Sequence, residues 1–121
     1  MFIRNLLDCR HFDAADNTQI CELLHPAREG VDLPYSIAHA VLKPGCESLP
    51  HRLRGSSEVY FILEGEALMM IDAEQSRVVP GQAILIPPGS WQQIRNIGSD
   101  DLKFLCIVHP YWKSEDEEVR H

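Results

Sequence analysis

The chain has 121 residues, 45% hydrophobic and 24% charged, which is typical of one folded domain and excludes a disordered chain. Its 18 acidic residues outnumber 11 basic ones, and the net charge of −7 disfavours nucleic-acid and anionic-membrane partners, because both require a basic surface. No apolar run approaches the ~20 residues that cross a bilayer, and Arg4, Asn5 and Asp8 interrupt the N-terminal segment too early for a signal peptide.

Short strands separated by turns are predicted along the chain. Residues 1–33 are expected to contribute N-terminal strands and residues of about 34–110 the core. Residues 113–121 are expected to form an acidic, solvated tail with a short helix that begins near Ser114. Within the core, strand patterns cover Ser36–Leu42, Glu58–Leu63, Ala67–Ile71, Ala83–Ile86, Trp91–Asn96 and Leu102–Val108. Proline-glycine pairs predict tight turns at Pro44-Gly45, Pro80-Gly81 and Pro87-Pro88-Gly89.

This succession of strands and turns predicts a single all-β domain over residues 1–121, either a sandwich or a barrel. The stretch Val59–Leu63 is apolar on both of its faces. Such a strand must be covered on both sides, by the barrel interior and by a second sheet or a partner subunit. Strands of this kind permit a homodimer, which is the expected assembly, with a second sheet as the other possible cover.

Two stretches carry the candidate chemistry. The first runs from Gly45 to Gly65 and the second from Gly81 to Asn96. They match the glycine, proline and asparagine positions of the two cupin motifs, G-x5-H-x-H-x(3,4)-E-x6-G and G-x5-P-x-G-x2-H-x3-N. The chain therefore resembles a small single-domain cupin. This resemblance implies a double-stranded β-helix, which is a jelly-roll barrel.

The resemblance also implies a metal site, because the histidines and the glutamate of these motifs bind a metal in cupins. This chain retains His51 and Glu58, whereas Leu53 and Gln92 stand where the family has histidines. The implied site is a weakened set of His51, Glu58 and Gln92 for a divalent ion such as Mn, Fe, Ni or Zn. His39 is a further candidate ligand if its strand turns that face inward.

Strand alternation supports a shared pocket independently of the family. Residues two apart share a face, so Glu58 and Tyr60 point the same way, as do Gln92, Ile94 and Asn96. An ionised carboxylate inside a small barrel requires a positive companion, and His51 is the nearest candidate in sequence. The candidate pocket comprises Leu53, Tyr60, Ile94 and Asn96. The alternatives are a metal-free His51–Glu58 pair, a Gln92 that only lines the barrel mouth, and a structural His39.

Two functions from different classes follow. The first is a metal-dependent enzyme that acts on a small polar molecule by oxygenase, isomerase or lyase chemistry. The second is a non-catalytic cupin that binds a small ligand beside a degraded metal site; a purely structural dimer module is a weaker third. No nucleic-acid or membrane partner is expected. The four cysteines include no C-x-x-C pair, which favours reduced thiols and a cytoplasmic location.

Overall fold

In a computed structural model, which describes residues 1–121, the chain forms two antiparallel sheets that face each other. The six-stranded sheet contains, in spatial order, β1 (Phe12–Asp13), β2 (Gln19–Leu24), β3 (Ser36–Leu42), β10 (Leu102–His109), β5 (Ser57–Glu64) and β8 (Ala83–Ile86). The five-stranded sheet contains β11 (Glu117–Val119), β4 (His51–Leu53), β9 (Gln92–Asn96), β6 (Ala67–Ile71) and β7 (Glu74–Val78).

Helical structure is confined to three short segments. The α-helix α1 covers Pro26–Glu29, and 3-10 turns cover Leu6–Asp8 and Ser114–Asp116. None of these helices has the length and apolar character needed to cross a membrane. The rest of the regular structure consists of strands in two antiparallel sheets, and the prediction of an all-β jelly-roll is confirmed.

The predicted strands lie close to their observed positions. Ser36–Leu42, Ala67–Ile71 and Ala83–Ile86 have the predicted bounds, and the other three differ by a residue at one or both ends. The strands β4, β7 and β11 were not predicted individually. They are three to five residues long, and β7 is exposed at four of its five positions, so none carries a strong apolar alternation.

The core lies between the sheets and follows the alternation of the strands. Tyr60 and Ile62 of β5 pack with Phe104 of β10, and all three are at most 2% exposed. The rings of Tyr60 and Phe104 lie 4.6 Å apart between centroids. From the facing sheet come Met69 and Ile94, which are also buried. The predicted sharing of faces by Glu58 and Tyr60, and by Gln92, Ile94 and Asn96, is confirmed by burial at every one of these positions.

The turn at Gly65 shows why glycine is required there. Its φ is +90°, a region that residues with a Cβ rarely adopt. A Cβ at this position would lie 3.0 Å from the carbonyl oxygen of Asp101 and 3.0 Å from Cα of Leu102. The motif glycines Gly45, Gly81 and Gly89 also have positive φ, as the turn predictions required.

The outer face of the six-stranded sheet carries apolar side chains. Val59 is paired with Leu85 of β8 and Phe61 with Leu105 of β10, so these side chains share one face. Phe61 is 36% exposed and Leu85 is 65% exposed. The partner subunit expected to cover this face stays a prediction.

The C-terminal segment is part of the fold, and the expectation of a solvated tail was wrong. After the 3-10 turn, β11 pairs with β4, so that Val119 lies opposite His51. The carboxylate of Glu118 accepts hydrogen bonds from Arg52 at 2.8 Å and Arg54 at 3.0 Å. Backbone pairing together with these ion pairs holds the acidic run against the barrel, which a count of charges does not reveal.

Candidate functional site

A cavity of about 490 Å³ opens between the two sheets. The strands β2, β3, β5 and β10 supply its walls, together with α1 and the C-terminal segment. Its apolar lining includes Phe12, Ile20, Phe104, Val108 and Trp112. The polar side chains on its wall include Asp16, Glu22, His51, Glu58 and Glu117.

The structure brings together the three residues of the predicted metal site. His51 of β4 lies directly opposite Gln92 of β9, so both side chains point to the same side of the five-stranded sheet. Nε2 of Gln92 donates a 2.8 Å hydrogen bond to Oε1 of Glu58, which comes from the opposite sheet. All three are less than 10% exposed. His51 and Glu58 line the cavity, whereas Gln92 is not among its lining residues.

Asp16 joins this group, and the sequence did not predict it. A turn with Asn17 at a φ of +71° lets Oδ1 of Asp16 accept hydrogen bonds from the backbone and the hydroxyl of Thr18, at 3.1 and 2.7 Å. Oδ2 is left facing Nε2 of His51 at 3.3 Å. Nδ1 of His51 contacts the carbonyl of Leu49 at 2.8 Å. Both ring nitrogens therefore face oxygen atoms of the protein.

His51 and Gln92 are the partners that the buried Glu58 has in the barrel. Burial raises the pKa of Glu58 to about 7, and the neighbouring His51 and the hydrogen bond from Gln92 oppose that rise. Burial also raises the pKa of Glu117, which His51 again opposes. Burial raises the pKa of Glu22 as well. Three carboxyl groups of the cavity thus lie in an environment that disfavours their charged form.

The cavity as a whole is acidic. Its wall contains five carboxyl side chains, and its single Lys or Arg side chain is Arg28. Nη1 of Arg28 is already engaged, since it donates to the backbone carbonyl of Glu22 at 3.0 Å. The second histidine of the wall, His25, contacts the carbonyl of Trp112 at 2.8 Å and accepts from the amide of Ala27. Each basic side chain of the wall therefore already contacts another group of the protein.

A divalent metal does not fit the donors of the barrel as they stand. Leu53 has no donor atom, both nitrogens of His51 face other groups, and one oxygen of Glu58 accepts from Gln92. The atoms that accept no hydrogen bond are Oε2 of Glu58 and Oε1 of Gln92, and the second of them is buried. Two oxygens without a free imidazole nitrogen are a poor site for a transition metal. Binding by His51, Glu58 and Gln92 stays a prediction, and the geometry favours the metal-free alternative.

Of the four predicted pocket residues, Tyr60 lines the cavity and the other three do not. Ile94 belongs to the fully buried core between the sheets. Asn96 donates to the carbonyls of Leu42 and Asp100 at 2.9 and 2.8 Å and accepts from the amide of Gly98, so it fixes the loop after β9. Leu53 is buried in the sheet at 4% exposure. Alternation correctly predicted that these residues point inward, but it cannot tell the packed end of a barrel from its open end.

His39 lies on the opposite face of β3 from the cavity. Its neighbours Ala38 and Ala40 point inward, and the ring contacts His11 beneath the N-terminal segment, with Nε2 of His11 2.9 Å from Nδ1 of His39. The suggestion that His39 is an extra ligand of the barrel site was therefore wrong. His39 groups instead with His11 and Cys21, and their ligand atoms all lie within 4.8 Å of one another. The chain thus contains a group of side chains that can hold a metal, outside the barrel.

Comparison with known proteins decides the family. The cupin domain family matches residues 38–108, more than half of the chain. The chain belongs to the cupins. An uncharacterised protein of Methanocaldococcus jannaschii is 42% identical to this cupin over 105 residues, 86% of this chain and 82% of the relative.

Two other similar proteins carry names that refer to oxalate. An oxalate-binding protein of Thermotoga maritima is 30% identical over 71 residues, 59% of each chain. The solved structure of a predicted oxalate decarboxylase from the same organism matches this cupin with a TM-score of 0.79 at 20% identity, covering 90% of this chain and 99% of that one. At that level of identity, the structural likeness shows the shared fold.

Proposed function

We propose that the barrel cavity binds a small molecule with hydroxyl or amino donors beside an apolar face, and that no metal links this molecule to the protein. The observation that carries the proposal is the acidic wall around His51. Asp16, Glu22, Glu58 and Glu117 all line the cavity, and of the two carboxylate oxygens of Glu58 only Oε1 accepts a hydrogen bond, from Gln92. A carboxylate oxygen in a buried site without a donor is costly, and a donor group on a bound molecule removes that cost.

The same wall argues against an oxalate-like ligand. A dicarboxylate held without a cation would lie among carboxylates in a region of low polarity, where repulsion between like charges is strong. The positive side chains of the wall are engaged: His51 faces Asp16, and Arg28 bonds the backbone of Glu22. The chemistry of this cavity therefore does not support oxalate as its ligand, although the two Thermotoga proteins are named for oxalate.

The size and the apolar side of the cavity narrow the ligand class further. A volume of about 490 Å³ lies within the range of small-molecule sites, which are commonly 300–1,000 Å³. Phe104 and Trp112 supply flat apolar surface to the same cavity, and Nε1 of Trp112 donates to Glu117 at 3.3 Å. A molecule with one apolar face and several O–H or N–H groups would satisfy both sides.

Proton transfer to the bound molecule is the second candidate function. Glu58 and His51 both line the cavity, and Asp16, which lines it as well, lies 3.3 Å from Nε2 of the imidazole. A carboxyl group and an imidazole at one wall are the groups that general acid–base catalysis uses, commonly for a rate gain of about 10²–10⁴-fold. This arrangement needs no residue beyond those already on the wall.

The test is a thermal-shift screen of the tag-free, chelator-treated protein. Matched sets of hydroxylated compounds, amines and dicarboxylates, oxalate included, are compared with and without added Mn²⁺. We expect hydroxylated or amino compounds to raise the melting temperature by several degrees, since ligand at 100 times Kd adds about 2.7 kcal/mol. Each hit is then incubated with the protein and recovered: a changed molecule assigns catalysis, and an unchanged one assigns binding.

The matched variants are Glu58→Gln in the cavity and Glu74→Gln on the exposed strand β7. We expect the first to lose most of the stabilisation by the ligand and the second to keep it. Stabilisation by dicarboxylates alone, and only with Mn²⁺ present, would overturn the metal-free proposal. Equal stabilisation of both variants would overturn the role of the acidic wall.

A further inference from the structure

A second group of polar side chains lies outside the barrel, between the six-stranded sheet and the N-terminal segment. It consists of His11, Cys21 and His39, whose ligand atoms all lie within 4.8 Å of one another. Cys21 is fully buried and His39 is 3% exposed, while His11 is half-buried. None of these residues lines the cavity, so the group is separate from the proposed binding site.

The pairing of the strands creates this group. Cys21 of β2 lies directly opposite His39 of β3, so their side chains project from the same face of the sheet. That face is the outer one, because Ile20, Glu22 and Ala38, the neighbours in sequence, line the cavity. The N-terminal segment then crosses this face and places His11 above the pair.

A second thiol lies beside the first. Cys9 is 7% exposed, and its Sγ contacts the backbone carbonyl of Glu22 at 3.3 Å. It also contacts the thiol of Cys21. Both cysteines are free. Two thiols and two imidazoles are thus buried together on one face of a sheet, where polar groups without a strong partner are costly.

The two imidazoles face each other in a way that favours a cation between them. Nε2 of His11 lies 2.9 Å from Nδ1 of His39, so the metal-free pair can share only one proton between these two lone pairs. Neutral imidazoles and thiolates are the forms that coordinate metals, and a cation between these groups stabilises both.

We propose that His11, Cys21 and His39 bind a zinc ion on the outer face of the sheet, with Cys9 as the fourth ligand. Zinc takes sulfur at about 2.3 Å and nitrogen at about 2.0 Å in tetrahedral sites, so its ligand atoms lie roughly 3.5 Å apart. The ligand atoms of His11, Cys21 and His39, from 2.9 Å to at most 4.8 Å apart, reach that arrangement with shifts of about an ångström. Cys9 lies beside Cys21 but outside this close group, and it completes the set with a larger shift. Imidazole and thiolate donors select zinc over the hard ions that oxygen-rich sites prefer.

A closed site of this kind ties the N-terminal segment to the barrel. The segment contributes Cys9 and His11, and the sheet contributes Cys21 and His39. Because the four ligands leave no open position, the ion stabilises the fold and does not take part in catalysis. The N-terminal segment also provides Phe12 and Asp16 to the cavity, so zinc on the outer face fixes one wall of the inner site.

The test uses the full chain without a tag, reduced and stripped by a chelator, then titrated with Zn²⁺ and separately with Co²⁺ as a spectroscopic probe. We expect about one ion per chain and a near-ultraviolet band from the cobalt–thiolate bond. His11→Ala should weaken zinc binding by roughly 100-fold or more, since loss of even an outer partner of a ligand costs 10–100-fold. Cys21→Ser should weaken the cobalt–thiolate band, and Cys21→Ser combined with Cys9→Ser should abolish it.

Two controls separate this site from the others. Cys46→Ser removes an exposed thiol far from the group in sequence, and Glu58→Gln removes the barrel carboxylate; both should bind zinc as the unmodified chain does. His11 is half-buried, so His11→Ala is the variant expected to fold even if Cys21→Ser does not. Zinc binding that survives His11→Ala but is lost in Glu58→Gln would place the ion in the barrel and overturn the proposal. A chain that binds no zinc at micromolar concentration would also overturn it.

Discussion

The two faces of strands β2 and β3 carry opposite chemistries. The inner face presents Ile20, Glu22 and Ala38 to an acidic cavity, whereas the outer face presents Cys21 and His39 to a group of sulfur and nitrogen donors. The two sets alternate residue by residue, because successive side chains of a strand point to opposite sides. One pair of strands can therefore hold an oxygen-lined pocket and a soft-ligand site without either sharing an atom with the other.

The two faces differ in the metal ligands that they offer. On the inner face, Leu53 and Gln92 stand where cupins have two histidines, and His51 lies beside the carboxylate of Asp16. Outside, two imidazoles and a thiol approach one another under the N-terminal segment. The family motif directs attention to the first face, while the donor chemistry of this chain favours the second.

The largest expected difference between the faces is in packing. Phe104 points inward and is fully buried against Tyr60, whereas the next residue, Leu105, points outward and is half-buried. Phe104→Ala should lower the free energy of unfolding by about 3–5 kcal/mol, because it leaves a cavity in the core. Leu105→Ala should lower it by only about 1–2 kcal/mol, since less area is buried. Urea denaturation measures both, and equal losses would show that the outer face is as closely packed as the inner one.

Glu58 predicts a pH dependence that belongs to the inner face. Its pKa is about 7 in the folded chain and about 4.5 when unfolded, so between these values the folded state binds more protons. Stability should therefore fall as pH rises from about 4.5 to 7, by about 3 kcal/mol from this group, and change little beyond. Glu22 and Glu117 contribute in the same direction, since burial raises the pKa of each.

Unfolding measured in urea at several pH values tests this dependence. Glu58→Gln should remove most of the slope, because its amide carries no charge to desolvate. Glu74→Gln, at an exposed position of β7, should leave the slope unchanged. A slope that persists in Glu58→Gln would assign the effect to other carboxyl groups and weaken the comparison between the faces.

Much of the inner face could be predicted from sequence, because strand alternation and motif spacing are local patterns. They predicted that Glu58 and Gln92 lie close together, and a hydrogen bond joins the two side chains. Asp16 and Glu117 could not be found in this way, because they come from a turn and from a short terminal strand that lack periodicity. The acidic run around Glu117 has the composition of a solvated tail, and only its pairing with β4 brings it to the cavity.

The outer group was missed for a different reason. The ligands His11 and Cys21 lie 28 and 18 residues from His39, with no metal-binding spacing among them. Their meeting depends on the register that sets Cys21 opposite His39 and on the path of the N-terminal segment. Register across strands is a property of the whole sheet, so a linear motif does not contain it. An alternating Ala-His-Ala in β3 was the only signal, and it left the direction of His39 undecided.

The smallest expected effect on the isolated chain concerns the uncovered part of the outer face. Phe61 lies in the row that runs from Cys21 through His39 and Leu105, and Leu85, which pairs with Val59, is 65% exposed. We expect a second copy to cover this surface, because an apolar face next to a closed zinc site has no segment of its own chain over it. Leu85→Glu should then shift the mass measured by light scattering from dimer to monomer, with a change in monomer stability within about 0.5 kcal/mol. Glu74→Gln, on the other sheet, is the control that should leave the mass unchanged. A chain that is monomeric before substitution would show that the outer face is filled only where the N-terminal segment crosses it.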